Sequence, residues 1–209
     1  MRQKFMHSEI FTDAQTKLLP IIAKFRDGFG LVGGTAIALH IGHRESIDFD
    51  MFSPDEFTNA RIRQVFARAG KPISTVFTNE TGQFTFVVDG VQVTFYQFQY
   101  PIEYAESYDS FARMPTLLTL AAMKAFALGQ RSKWKDYVDL YFILRDHYSL
   151  DEISDHARAV FKGEFNAKLL RQQLDYFDDI DYREPVVFKP GFEVSEADIK
   201  RALTDYSLS

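Results

Sequence analysis

The sequence predicts an α+β fold, a mixed β-sheet flanked by helices and followed by a helical C-terminal region. Three observations carry this. Every run with strand character lies before about residue 100, interleaved with helical runs. Asp89-Gly90 joins two alternating runs as a two-residue hairpin turn. Beyond Pro115, apolar residues recur at helical spacing almost to the end of the chain. This order places an α/β core at 1–110 and a helical region at 111–209, one cooperative unit with a cleft expected where the two parts meet.

In chain order, residues 14–25 carry Leu18, Ile21, Ile22 and Phe25 at helical spacing, and Gly28 and Gly30 end that helix. Leu31 and Val32 read as the tail of a short strand running into Gly33-Gly34. Residues 35–41 form a short helix stopped by Gly42. The run 48–52 (Asp-Phe-Asp-Met-Phe) alternates polar and apolar, so Asp48 and Asp50 fall on one face of a strand. Ser53-Pro54-Asp55-Glu56 reads as a helix start, with Ser53 as cap, Pro54 in the first helical position and Glu56 reaching back. That helix runs to about Ala69. Strands follow at 73–78, 83–88 and 91–98, then an irregular stretch to Pro115. Helices are expected near 117–128, 134–146, 150–161, 167–178 and 195–203, the last capped by Ser195.

Composition bounds the function. Of 209 residues, 46% are hydrophobic and 25% charged, as in a soluble protein with a substantial core. The 21 Phe and 10 Tyr exceed what a core of this size needs, which leaves aromatics for an interface. Tyr96, Tyr100, Tyr104 and Tyr108 gather around the irregular stretch, as a sticky surface or as core. The absence of Cys excludes thiolate ligands, a cysteine nucleophile and disulfides, and fits a reducing compartment. Residues 1–10 mix Arg, Lys, His and Glu without an apolar signal region, and no apolar run approaches the roughly 18 residues of a membrane span. The expectation is a cytoplasmic protein without a membrane partner. A net charge of -5 argues against broad non-specific nucleic-acid binding but allows a local basic patch.

Two constellations could carry chemistry. Gly33-Gly34-Thr35 lies between a strand and a helix, where a tight turn and helix-terminus amides can cradle a phosphate and Thr35 can add a hydroxyl. An ordinary turn has the same look. Asp48 and Asp50 follow 14 and 16 residues after Gly34, with Ser46 on the same parity. Two adjacent carboxylates repel unless they share a cation, and hard oxygens of this kind suit Mg2+ together with substrate phosphates. Between them, His40-x-x-His43 lacks a third soft ligand for zinc and is better read as structural, while Arg44 suits a phosphate or a bridge between carboxylates. In the second constellation, Lys124, Arg131 and Lys135 cluster positive charge that could neutralise a triphosphate. Asp136 and Asp139 lie one turn apart, and a buried Asp139 is expected to be partnered by Arg131 or Lys135. A solvated helix face is the alternative.

The run from Leu31 to Ser53 resembles the AbiEii/AbiGii toxin nucleotidyltransferases of the DNA polymerase β-like superfamily, and the stretch from Lys124 to Leu140 resembles the second half of that family's pattern. The resemblance implies a nucleotidyltransferase sheet in which Gly33, Gly34 and Thr35 position a nucleoside triphosphate (NTP). Asp48 and Asp50 would hold Mg2+, with Arg44 and Ser46 beside the nucleotide. Lys124, Arg131, Lys135 and Asp139 would line the opposite side of the cleft, Lys124 and Asp139 with catalytic roles. It further implies transfer of a nucleotide to an acceptor such as tRNA, a cognate antitoxin protein, and a role in phage defence.

One position departs from the family pattern. A third carboxylate is expected on a neighbouring strand, where this chain has Thr94, and a hydroxyl cannot serve as general base as a carboxylate does. Two alternatives to an RNA-directed transferase follow: a catalytically degenerate nucleotide-binding or protein-binding module on the same fold, and a transferase with a small-molecule acceptor.

Overall fold

The computed structural model describes residues 6–208. Of the N-terminal stretch 1–10, residues 1–5 lie outside the described residues. The described residues divide into two compact units, 6–42 with 46–116, and 43–45 with 117–208.

In the first unit, α1 (Asp13–Ile22) opens with a reciprocal cap. The Gln15 N–H donates to Thr12 Oγ1 (3.2 Å), and the Thr12 N–H donates to Gln15 Oε1 (3.1 Å). A tighter turn at Ala23–Phe25 completes the helix expected to residue 25. There follow β1 (Gly30–Val32), α2 (Gly33–Ile41), β2 (Phe49–Ser53), α3 (Asn59–Arg68), β3 (Thr75–Glu80), β4 (Gln83–Val88), β5 (Val91–Gln97), β6 (Glu106–Tyr108) and β7 (Ala112–Met114). The strands form one seven-stranded mixed sheet in the order β3-β4-β5-β2-β1-β7-β6. β2 pairs antiparallel with β1 and parallel with β5. The β4–β5 turn is the expected hairpin, with Asp89 and Gly90 at φ 50° and 79°.

One face of this sheet is the core. Phe49 and Met51 of β2, Phe84, Phe86 and Val88 of β4, and Val91, Val93 and Phe95 of β5 are all buried, as are Ile62 and Phe66 of α3. Rings meet edge-on across it: Phe95 lies 4.7 Å from Phe25 and 5.0 Å from Phe29, and Phe66 lies 5.1 Å from Phe86. Much of the phenylalanine surplus is spent here.

Two local expectations are corrected. The helix does not start at Ser53, which is instead the last residue of β2 and pairs with Gln97. The Phe98 N–H donates to the Ser53 carbonyl (2.8 Å), so the ladder holds Ser53 extended, and its hydroxyl accepts the Asp55 N–H in a local turn (3.1 Å). The helix begins six residues later. The stretch before Pro115 also contains β6 and β7, whose three residues each are too few to show a period. Their pairing with each other and with β1 makes them strands.

The second unit contains α4 (Leu117–Leu128), α5 (Trp134–Asp146), α6 (Leu150–Phe161), α7 (Ala167–Leu174) and α8 (Glu196–Leu208). The first three match the expected bounds, α7 stops four residues early and α8 runs five further. Caps mark the starts: Ser149 and Glu152 form a reciprocal box on α6, Asn166 accepts from the Lys168 and Leu169 amides, and Ser195 accepts the Asp198 N–H (3.1 Å). Helix α5 is buried nearly all round, with Tyr137, Val138, Leu140, Phe142 and Ile143 fully enclosed. Phe126 of α4 stacks on Phe161 of α6, with centroids 4.2 Å apart. Among the described residues no helix is long and apolar enough to cross a membrane.

Phe95→Ala should cost about 3–5 kcal/mol, because the ring is fully enclosed by other rings. Phe77→Ala, on β3 and 63% exposed, should stay within about 0.5 kcal/mol of wild type. Urea unfolding of the two variants side by side checks this, and equal midpoints would contradict the assigned core.

Candidate active site

The sixteen residues that separate Gly33 from Asp50 in the chain collapse to a contact in the sheet. β1 and β2 pair with Gly30 opposite Phe52, Leu31 opposite Met51 and Val32 opposite Asp50. The turn leaving β1 therefore lies beside the Asp50 side chain. Gly33 takes φ 70°, and a Cβ there would collide with the Asp50 carboxylate. Gly33 and Gly34 are the first two residues of α2, whose cap residue Val32 makes no side-chain cap. First-turn amides have no intrahelical acceptor, so this end of α2 can receive an anion.

Thr35 and Ser46, read in sequence as ligand-facing, work inside the scaffold instead. Thr35 is buried, and its hydroxyl reaches the Asp48 carbonyl, Ser46 Oγ (3.0 Å) and the Ser46 carbonyl (3.3 Å). Gln15 Nε2 donates to the same Ser46 carbonyl (2.8 Å). Together these groups hold the backbone that delivers Asp48 to the sheet. Sequence reading missed Gln15. Its signal was a polar residue sharing a helical face with Leu18 and Ile22.

Asp48 immediately precedes β2, and Asp50 sits within it. Asp48, Asp50 and Phe52 are half-buried while Phe49 and Met51 are fully buried, so both carboxylates share the face opposite the core. On the other flank, β5 places Thr94 directly beside Asp50, and β4 places Thr85 beside Thr94, their hydroxyls 3.4 Å apart. Among the described residues no group of three or more His, Asp or Glu is arranged to hold a metal ion. His40 Nε2 meets the Pro115 carbonyl (3.2 Å) in the first unit, and His43 belongs to the second.

In the second unit the charged residues of α4 and α5 form a buried network. Asp139 is fully buried and accepts from His43 Nε2 (2.8 Å), Arg44 Nε (2.7 Å) and Arg44 Nη2 (2.9 Å), with Lys124 Nζ at 3.0 Å. Asp136, also buried, accepts from Lys124 (2.7 Å) and Arg131 Nε (2.9 Å). The expected partners of Asp139 are thus corrected. Arg131 serves Asp136 in the first turn of α5, Lys135 pairs with Glu184, and Asp139, one turn deeper, faces Lys124 and Arg44. Residues 43–45 are seated by backbone pairing as well. Arg44 bridges to Phe188, the Glu45 N–H donates to the Val187 carbonyl (2.9 Å), and the Lys189 N–H donates to the His43 carbonyl (3.0 Å). Arg44 therefore anchors a carboxylate rather than presenting its full fork to a phosphate, and Lys124 has its charge matched internally.

Burial alone would raise the Asp139 pKa, but Arg44 and Lys124 outweigh it and hold the carboxyl well below the usual range. Asp136 is likewise lowered by Lys124 and Arg131 against burial. Burial opposes the Lys124 charge, yet Asp136 and Asp139 raise its pKa. His43 is lowered, chiefly by burial. Its Nδ1 is buried without a hydrogen-bond partner, so protonation there would strand a donor beside Phe142.

Asp139→Asn should cost about 3–5 kcal/mol, because it removes the carboxylate that the buried Arg44 and Lys124 share. The depressed carboxylates add stability above the unfolded value of about 3.9, and it is lost as pH falls through their folded values. His43, neutral when folded, adds a loss that begins as pH drops below about 6.5. Stability should thus decline in two stages on acidification, measured as urea midpoints against pH, with the lower stage reduced in Asp139→Asn. A proton-NMR titration placing His43 at or above 6.5 would contradict this reading of its environment.

A family profile described as nucleotidyl transferase AbiEii toxin, type IV toxin–antitoxin system, matches residues 21–206. An uncharacterized protein of Aquifex aeolicus is 29% identical over 187 residues, covering 85% of this chain and 87% of its own. Among solved structures, a candidate nucleotidyltransferase from Helicobacter pylori superposes with TM-score 0.63 at 14% identity, over 94% of this chain and 92% of that one. The nucleotidyltransferase toxin MenT4 of Mycobacterium tuberculosis superposes with TM-score 0.62 at 14% identity, over 93% and 80%. At such identities the superpositions speak to the fold, and the profile speaks to the family. The chain belongs to the AbiEii nucleotidyltransferase toxin family.

Proposed function

We propose that this chain transfers a nucleotide from an NTP to an acceptor, with Asp48 and Asp50 holding Mg2+ and the Gly33-Gly34 end of α2 receiving the triphosphate. The observation that carries this reading is the packing of Gly33 against the Asp50 carboxylate, which joins helix-terminus amides and two hard-oxygen ligands within one unit. Two carboxylates fit Mg2+, which completes its coordination with waters and substrate phosphates. Bound there, the ion supplies neutralisation of the phosphate charge. The acceptor oxygen bonds to the α-phosphorus as the bond to pyrophosphate breaks, and the acceptor proton leaves to solvent. Thr35, Ser46 and Gln15 are positioning residues that set the backbone of Asp48. Asp139 positions Arg44 and Lys124. Family membership supports a cytoplasmic toxin with an RNA acceptor such as tRNA and a cognate antitoxin protein.

A second reading, a nucleotide-binding module without turnover, is favoured by one observation. Thr94 occupies the strand position beside Asp50, where a third carboxylate would lie, with Thr85 on the next strand.

Transfer from α-32P-labelled NTPs to total cellular RNA, with and without Mg2+, tests the proposal. Asp48→Asn and Asp50→Asn should each lower transfer more than about 100-fold, and Gly33→Ala should lower it by displacing Asp50. Unchanged transfer in both Asn variants would sink the assignment. Calorimetric NTP binding without transfer would favour the second reading, and Thr94→Asp should then restore turnover if only that acid is missing.

A further inference from the structure

The sheet face that carries Asp50 continues into a group of aromatic rings. Phe52 follows Asp50 at the next position on that face, about 7 Å along the strand. Tyr96 pairs with Phe52 in the β2–β5 ladder, two residues beyond Thr94, and is 36% exposed. Phe52 lies 5.2 Å from Tyr96 and 5.1 Å from Phe98, and Phe98 lies 5.2 Å from Tyr100. All but Tyr96 are half-buried. Behind them, Tyr104 donates its hydroxyl to the Phe52 carbonyl (2.9 Å), and its ring lies where a Cβ on Gly30 would be, so this end of the sheet is fixed. Three of the four tyrosines gathered around this stretch in the sequence, Tyr96, Tyr100 and Tyr104, thus lie here, while Tyr108 is buried against Phe11 and Phe111.

The order along the face is directional. Gly33 and the α2 terminus lie toward Asp48, and the aromatic group lies beyond Asp50 at the opposite end. In an in-line displacement the attacking oxygen approaches the α-phosphorus from the side away from the departing pyrophosphate. If pyrophosphate leaves at the α2 end, the acceptor enters over Phe52 and Tyr96. Flat, sequence-tolerant ring faces are what an unpaired base at the end of a single strand stacks upon.

We propose that Phe52, Tyr96 and Phe98 form a stacking platform for the terminal base of a nucleic-acid acceptor. The proposal rests on the transferase reading for its direction, and its test does not need turnover. A short single-stranded RNA with 2-aminopurine at its 3′ end is titrated with protein in the absence of NTP and Mg2+. Wild type should quench the fluorophore, Tyr96→Ala should bind about 5- to 100-fold more weakly, and Tyr96→Phe should restore binding by restoring the ring. A wild type that leaves the fluorophore unquenched, or a Tyr96→Ala variant that quenches like wild type, would overturn it. So would quenching of 2-aminopurine riboside triphosphate in place of the RNA, since the platform would then belong to the donor. Loss of transfer with quenching intact would count against the transferase reading alone.

Discussion

Strand β2 is held in register from both sides, and the rest of the candidate site depends on that. Its antiparallel pairing with β1 puts Val32 opposite Asp50, and its parallel pairing with β5 puts Thr94 there too. A one-residue slip would turn Phe49 and Met51 out and drive Asp48 and Asp50 into the core. Each of those apolar side chains contributes roughly 1.5–3 kcal/mol by being buried, and each carboxylate would add a desolvation cost without a partner. The packing of Phe49 and Met51 against the aromatic core is therefore what aims the carboxylates. Gly33 completes the arrangement, because no larger residue fits beside the Asp50 carboxylate.

A separate constraint governs the short segment between α2 and Ser46. Residues 43–45 belong with the helical unit, pair with 187–189, and place His43 and Arg44 on Asp139. Burying Asp136 and Asp139 is costly, and the cost is offset by Lys124, Arg44 and Arg131, with His43 adding a neutral donor. Such a network specifies one arrangement of the segment, since any displacement would leave a buried charge unmatched. It also explains why residues that resemble nucleotide-facing cations in sequence have internal partners.

Much of this was legible because local and global preferences agree. The bounds of α4, α5 and α6 and the Asp89-Gly90 turn could be read from periodicity and turn chemistry alone. The helix start at Ser53 could not. A good capping sequence there is overridden by ladder bonds to β5, which come from more than forty residues away. Strands β6 and β7 are three residues each and exist through their pairing, so nothing local announces them.

The sequence by itself determined the fold class, the shared face of Asp48 and Asp50 and the position of the Gly-Gly turn, because each follows from spacing along one element. It also carried the family, through the run from Leu31 to Ser53. Only the tertiary structure decided that Gly33 touches Asp50, that Thr35 and Ser46 serve the backbone, that Asp139 takes Arg44 and Lys124, and that Tyr96 stands beside Phe52 on the Asp50 face while Tyr108 joins the core. Those are choices of partner between distant segments, and residue type limits which partners are chemically possible without saying which one the packing brings within reach.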